Sequence, residues 1–438
     1  MKAKLVPVYF NETMDSEFDL RVAEISELLK NEAEFLKPVA IGTDIPDADA
    51  VVFPQLIGEA YRKIEDIKKI NIPIFIITSE FATVAMWDWE IVTWMKDNGI
   101  KPFTPYNIDL TKTICRAVAL KKDIKNTKFL VFQDNPGKGM QADIFKRFYW
   151  WEKECSELMA EKFGVTIIKR SYKELNERAN AISDKEAEKV WNKWDFETEN
   201  VPHKSILSAV KLYIAVKEIT DKDDTIKGIG ANCLNESYYS KTTPCLAWNM
   251  LYEEKGIIWA CEADTMSLLT EYLLSKSLDT PVMTSNVYPF LMGMAALKHE
   301  KIQRFPEVSD ADQHLLIVHC GYTGLMPRAM CTQWTLKPKV LAIVDDNAHM
   351  VDCRAPEGDI TLAKIHPSLS KLLIIEGELE SYAQYPGSDC RNGALVKIKD
   401  GRKIMNELYS HHDILINGHK AAELNMVANI FEMIAEEI

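Results

Sequence analysis

The chain has 438 residues, 47% hydrophobic and 27% charged, the proportions of an ordinary globular protein large enough for two or three domains. Its formal net charge of -13 argues against a nucleic-acid or anionic-membrane surface, because phosphate backbones and acidic headgroups need clustered Lys and Arg. No run approaches the ~18 apolar residues of a spanning helix. The apolar part of the opening MKAKLVPVYF is too short for a secretory signal and lacks a small-residue cleavage site, so a cytoplasmic protein is expected.

In chain order, KLVPVYF (4–10) reads as a first β-strand. Phe18 to Leu36 reads as a helix with Leu20, Val22, Ile25, Leu28 and Leu29 as its apolar stripe. AVVFPQ (50–55), PIFIITS (73–79) and a helix around Leu110 to Leu120 continue the strand–helix alternation of a parallel α/β sheet. A second such unit begins at TKFLVFQD (127–134), followed by the loop NPGKGMQ (135–141) and a long helix with Trp150 and Trp151. Gly-Lys-Gly there is not followed by Ser or Thr, so no P-loop is present and a simple turn is the better reading. VTIIKRS (165–171), a helix from Ser205 to Ile219, IKGIGAN (226–232), a helix around Leu246 to Tyr252 and GIIWACEAD (256–264) complete this unit.

After about residue 280 the texture changes. HLLIVHC, KVLAIVD, DITLAKI and KLLIIEGELE are short alternating runs separated by Pro, Gly and Asp, the mark of a β-rich, mixed or barrel-like domain. A terminal helix from Ala421 to Ile438 follows, with Leu424, Val427, Phe431 and Ile434 on one face. The expected fold is α/β: two parallel-sheet domains, 1–125 and 126–280, then a β-rich domain, 281–438, with the terminal helix.

The nine cysteines are scattered, with no C-x-x-C pair, so neither a structural zinc site nor a dithiol motif is indicated. Eight of the nine histidines, by contrast, lie at or beyond His299. The densest group is NELYSHHDILINGH (406–419), where the doublet His411–His412 precedes an apolar run and Gly418–His419 follows it. Histidine is both the commonest metal ligand and the usual general base near neutral pH. Candidate partners stand at strand ends, where parallel α/β sheets open their ligand crevice. Glu262 and Asp264 follow GIIWAC, and Asp264 alternatively caps the next helix. Glu236 follows IKGIGAN and is either a loop residue or a second carboxylate of the same cleft. His319 ends LLIVH as a rim ligand or as a hydrogen-bonded structural residue.

Together the Cys-Glu-x-Asp strand tail, the strand ending His-Cys, the GDITLAKI…LLIIEGE segment and HHDILINGH resemble the L-fucose isomerase and L-arabinose isomerase superfamily over roughly 226–430. The N-terminal domain is similar in type only. The resemblance implies two α/β domains and a β-rich domain, assembled as a homo-trimer or hexamer. It also implies a metal-dependent aldose–ketose isomerase acting on a small-molecule sugar through an enediolate, with Mn²⁺ or another divalent cation as cofactor. It assigns Glu262 to metal binding and proton transfer, His412 to the metal and His319 to substrate, which leaves His411, one position before His412, to bind substrate or pack. Asn286 falls 24 residues after Glu262, where fucose isomerases carry a second carboxylate. An amide oxygen coordinates a hard cation weakly and cannot carry a proton at neutral pH, so Glu236 or Asp264 is expected to supply the second acid–base group. The alternative reading is an epimerase, a lyase or a non-catalytic sugar-binding member with a weakened metal site.

Overall fold

A computed structural model describes residues 2–56, 60–134, 153–233, 239–289, 308–319, 326–340, 345–384 and 392–438. The chain divides into two compact units. One comprises Met1–Ile124 with Lys276–Asp279 and Ala422–Glu432; the other comprises Lys125–Ser275, Thr280–Ala421 and Met433–Ile438.

The first unit is built on a parallel sheet. Strands β1 (Ala3–Tyr9), β2 (Ala33–Phe35), β3 (Val39–Ala40), β4 (Ala50–Phe53) and β5 (Ile74–Ile76) form it, in the order β2-β1-β4-β5 with β3 also on β1. AVVF is buried at every position, as expected of a strand covered on both faces. The helix Ser16–Leu28 starts at Asp15, whose carboxylate accepts from the Phe18 amide, 2.8 Å. It stops at Leu28 rather than running to Leu36. The Leu29 carbonyl accepts from the Glu32 and Ala33 amides, turning the chain so that Ala33–Phe35 pairs with β1. Of the expected apolar stripe, Ile25 and Leu29 are buried while Leu20 and Leu28 are exposed. The helix Ile108–Asp123 is capped by Asn107, which accepts from the Leu110 amide.

The second unit holds a four-stranded parallel sheet and a barrel. Strands β6 (Lys128–Phe132), β7 (Thr166–Arg170), β8 (Ile226–Ala231) and β9 (Ile258–Ala260) run in the order β7-β6-β8-β9. The helices Tyr172–Asn180, His203–Thr220 and Cys245–Lys255 bring Tyr172, Leu212 and Trp248 into one core with Phe132 and Ile229. At Gly230 a Cβ would lie 3.0 Å from the Ala263 Cα. Glycine there lets the turn after β9 settle close against β8.

From Met283 to Asn417 the strands are antiparallel: β10 (Met283–Pro289), β11 (His314–Val318), β14 (Gly358–Ile365), β15 (Lys371–Gln384), β16 (Asn392–Ile398) and β17 (His412–Asn417). Their order is β14-β17-β10-β11-β16-β15, and β15 pairs back onto β14. The result is a closed six-stranded antiparallel barrel, so the expected α/β class with a barrel-like C-terminal region is what the chain adopts. A separate hairpin, β12 (Gln333–Pro338) with β13 (His349–Arg354), had no counterpart in the sequence reading.

The terminal helix is present but shorter than expected, Ala421–Ile430. Glu432 takes a left-handed φ of 57°, and Ile434–Glu437 then forms β18, parallel to the start of β15. Fourteen-residue β15 is long enough to pair with β18 at one end and β16 at the other. The loop 135–141 and most of KVLAIVD lie outside the described residues. No helix among the described residues is long and apolar enough to cross a membrane.

Candidate functional site

The chain leaves β9 through a tight turn, Cys261–Ala263, and enters the helix Thr265–Leu278. Glu262 and Ala263 both sit in left-handed backbone, φ 54° and 59°, a conformation non-glycine residues adopt only where surrounding packing holds them. Asp264 follows. Its Oδ1 accepts from the Ser267 amide at 2.9 Å, which is the capping role read from sequence. Its Oδ2 does more. It accepts from the Ser267 hydroxyl at 2.8 Å, lies 2.9 Å from His412 Nδ1 and 3.1 Å from Lys364 Nζ. Asp264 and His412 are fully buried, and Lys364, 2.5 Å from the Ser267 hydroxyl, is 2% exposed.

Sheet register explains how residues so far apart in sequence meet. His412 opens β17 directly opposite Asn286 of β10, and Asn286 is in turn opposite Val318 of β11. His319 follows Val318 at once and is buried. His411 lies beside His412, ring centroids 4.3 Å apart, and its backbone carbonyl accepts from the Val287 amide. Lys364 is the penultimate residue of β14, the strand next to β17.

The charges are set by burial and by this geometry. Burial pushes the Asp264 carboxyl up, but the Lys364 ammonium and the His412 hydrogen bond more than offset it and hold the group below the usual carboxylate range. Asp264 is therefore an ionised acceptor, and the proton of its bond to His412 belongs on Nδ1. Burial lowers His411 to about 3, helped by the neighbouring His412, so it stays neutral. Two further carboxyls respond oppositely. Glu271, accepting from the Thr284 hydroxyl at 2.7 Å, is pushed up to about 8 by burial despite that bond and the Lys364 charge. Asp413 is pushed up to about 7 by burial, with Lys364 and His412 pulling against it.

Of the residues singled out in the sequence, Asp264 and His412 are in direct contact, and Asn286 is brought opposite His412. Glu262 stands two residues before Asp264 in the strained turn. His411 and His319 are close enough to act on each other electrostatically. Glu236 lies outside the described residues. Lys364, Glu271 and Asp413 were not anticipated. A signal for Lys364 existed: it is the one cation inside the otherwise apolar stretch ITLAKI, where an unpartnered ammonium would be expensive.

The donors suit an oxygen-preferring cation in two respects. His412 is oriented by a carboxylate through its other ring nitrogen, as metal-ligating histidines commonly are. The Asn286 Oδ1 is buried with no hydrogen-bond partner among the described residues, an acceptor of the kind a hard cation uses. Among the described residues no group of three His, Cys, Asp or Glu side chains is arranged to hold a metal ion. No protein-family model matches the chain, and a search of curated proteins gives no significant match.

Proposed function

We propose that the second unit carries a carbohydrate proton-transfer site and that the protein is an aldose–ketose isomerase. The observation that carries this reading is the buried Asp264–His412–Lys364 cluster beside Asn286 and two residues from Glu262. Glu262, Asn286 and His412 are the residues that would hold a divalent cation such as Mn²⁺. When bound, it would polarise the two sugar oxygens and acidify the C–H next to the carbonyl.

The chain's own groups supply the rest. Glu262, the one candidate carboxylate that neither caps a helix nor lies outside the described residues, takes the proton from one carbon and returns it to its neighbour. Asp264 keeps the His412 imidazole in one tautomer and one orientation. Lys364 keeps Asp264 ionised, so that this orientation survives burial. Neutral His411, with one donor and one acceptor nitrogen, suits a sugar hydroxyl in either sense, and His319 is assigned to the same task. The test is incubation with a panel of aldoses and ketoses, with Mn²⁺ and with chelator, followed by NMR. Interconversion of at least one pair that disappears in Glu262→Gln supports the reading, and no interconversion of any pair sinks it.

Lys364 favours a second reading. A buried ammonium already supplies fixed positive charge, as an epimerase, lyase or sugar-binding member with a weakened metal site would tolerate. Metal content after purification without chelators separates the two: stoichiometric Mn²⁺ for the first, none for the second.

A cytoplasmic location belongs to this proposal, since Cys115, Cys233, Cys331 and Cys353 are free thiols. So does assembly as a homo-trimer or hexamer. Its support is the exposure of Phe81, Met86, Trp87 and Trp89 in one short segment of the first unit, more apolar surface than an isolated chain usually presents in one place.

A further inference from the structure

The second unit contains a cavity of about 410 Å³ that shares no lining residue with the Asp264 cluster. The helix His203–Thr220 contributes Lys204, Ser208 and Lys211, whose spacing of four and three puts them on one helical face. Lys241 enters from the segment after residue 239, and Asp184 is the one carboxylate among the described lining residues. Asp184 is occupied by Lys211 at 2.6 Å. Lys204 and Lys241 are exposed and make no ion pair among the described residues. In a chain of net charge -13, the described lining residues carry three lysines against one aspartate, a surplus of two positive charges among them. Its floor is polar: Asn176, Ser240 and Thr242 line it and are each about 4% exposed.

We propose that this cavity is a binding site for a small phosphate monoester. The charge surplus matches the −1.5 to −2 of such a group at about neutral pH, and lysine is an established point-charge partner for phosphate. The polar floor suits a hydroxylated body and disfavours a hydrocarbon one. The volume falls in the range of small-molecule sites, ~300–1,000 Å³, with room beyond the phosphate itself. The shared chemistry of a free phosphate ion and a phosphate ester is separated by the experiment.

Titration calorimetry at low ionic strength with glycerol 3-phosphate, sodium phosphate and glycerol tests it, on the full chain and on Lys204→Ala, Lys241→Ala and the double variant. Both lysines are exposed, so the variants are expected to fold, with circular dichroism as the check; Lys204→Gln and Lys241→Gln replace either alanine variant that does not. Glycerol 3-phosphate should bind more tightly than sodium phosphate, and glycerol not at all. Each single substitution should weaken ester binding about tenfold. Equal affinity in the full chain and the double variant overturns the site, as does absence of binding by both anions. Equal affinity for ester and free phosphate overturns the ester assignment. None of these outcomes depends on whether the protein isomerises sugars.

Discussion

At the scale of single residues, the side chain that organises the site is the one least visible in the sequence. Asp264 and His412 were legible because strand ends and histidine doublets are known places to look, whereas Lys364 was hidden in a run read as apolar strand. Its contribution depends on pairing. Lys364→Met would leave the Asp264 carboxylate buried without its ammonium, and removing one partner of a buried pair typically destabilises by ~3–5 kcal/mol. Urea unfolding of the variant should show a loss of that size, and a loss under ~1 kcal/mol would mean that the pair matters little. The buried acids set a pH dependence. Glu271 titrates near 8 in the fold against its ordinary 4.5, so folding takes up a proton between those values and stability falls as pH rises through that window. Asp413, raised to about 7, adds to the fall up to that pH. Asp264 has the opposite sign, its stabilisation being lost only below its ordinary 3.8. Glu271→Gln keeps an acceptor for Thr284 and removes one titration. Its stability should fall less from pH 5 to pH 8, by on the order of 1–3 kcal/mol, and parallel profiles for variant and parent would refute the assignment.

Among secondary-structure elements, the clearest strands were legible to within a residue, while PIFIITS shrank to Ile74–Ile76 and KLLIIEGELE ran on to Gln384. KLVPVYF became Ala3–Tyr9, and DITLAKI became Gly358–Ile365. Helix ends were not, because what stops both misjudged helices is tertiary pairing: Ala33–Phe35 joins β1, and Ile434–Glu437 joins β15. Both segments carry side chains compatible with a helix, and only the unfilled edge of a distant strand decides. The barrel has its own constraint at Gly377 of β15, where a Cβ would lie 2.6 Å from the Lys397 carbonyl oxygen of β16. A backbone atom cannot swing aside as a side-chain tip can. Gly377→Ala should therefore lower the thermal midpoint, by an amount corresponding to ~1–3 kcal/mol, and an unchanged midpoint would show that the two strands separate freely there.

For the molecule as a whole, the switch from helix-separated strands to closely spaced alternating runs was enough to read a parallel α/β region followed by a barrel. Barrel closure by β14 and β15 was not readable, since it depends on register between strands and not on their composition. Assembly is open to direct measurement. If the exposed segment 81–89 forms an interface, Trp87→Asp, at a residue 81% exposed, should move the light-scattering mass toward one chain while leaving circular dichroism unchanged. A parent protein that scatters as a monomer at micromolar concentration would end the oligomer proposal.

The division of the chain also has a consequence for its birth on the ribosome. The first unit is not complete at Ile124; it also needs Ala422–Glu432, which are made almost 300 residues later. At ~5–20 residues per second, that is a delay of roughly 15–60 s in which the unit's early strands exist without their last piece. Chains stalled at about residue 300 should consequently leave the 1–124 segment protease-sensitive, and its protection should appear only once the final residues have emerged.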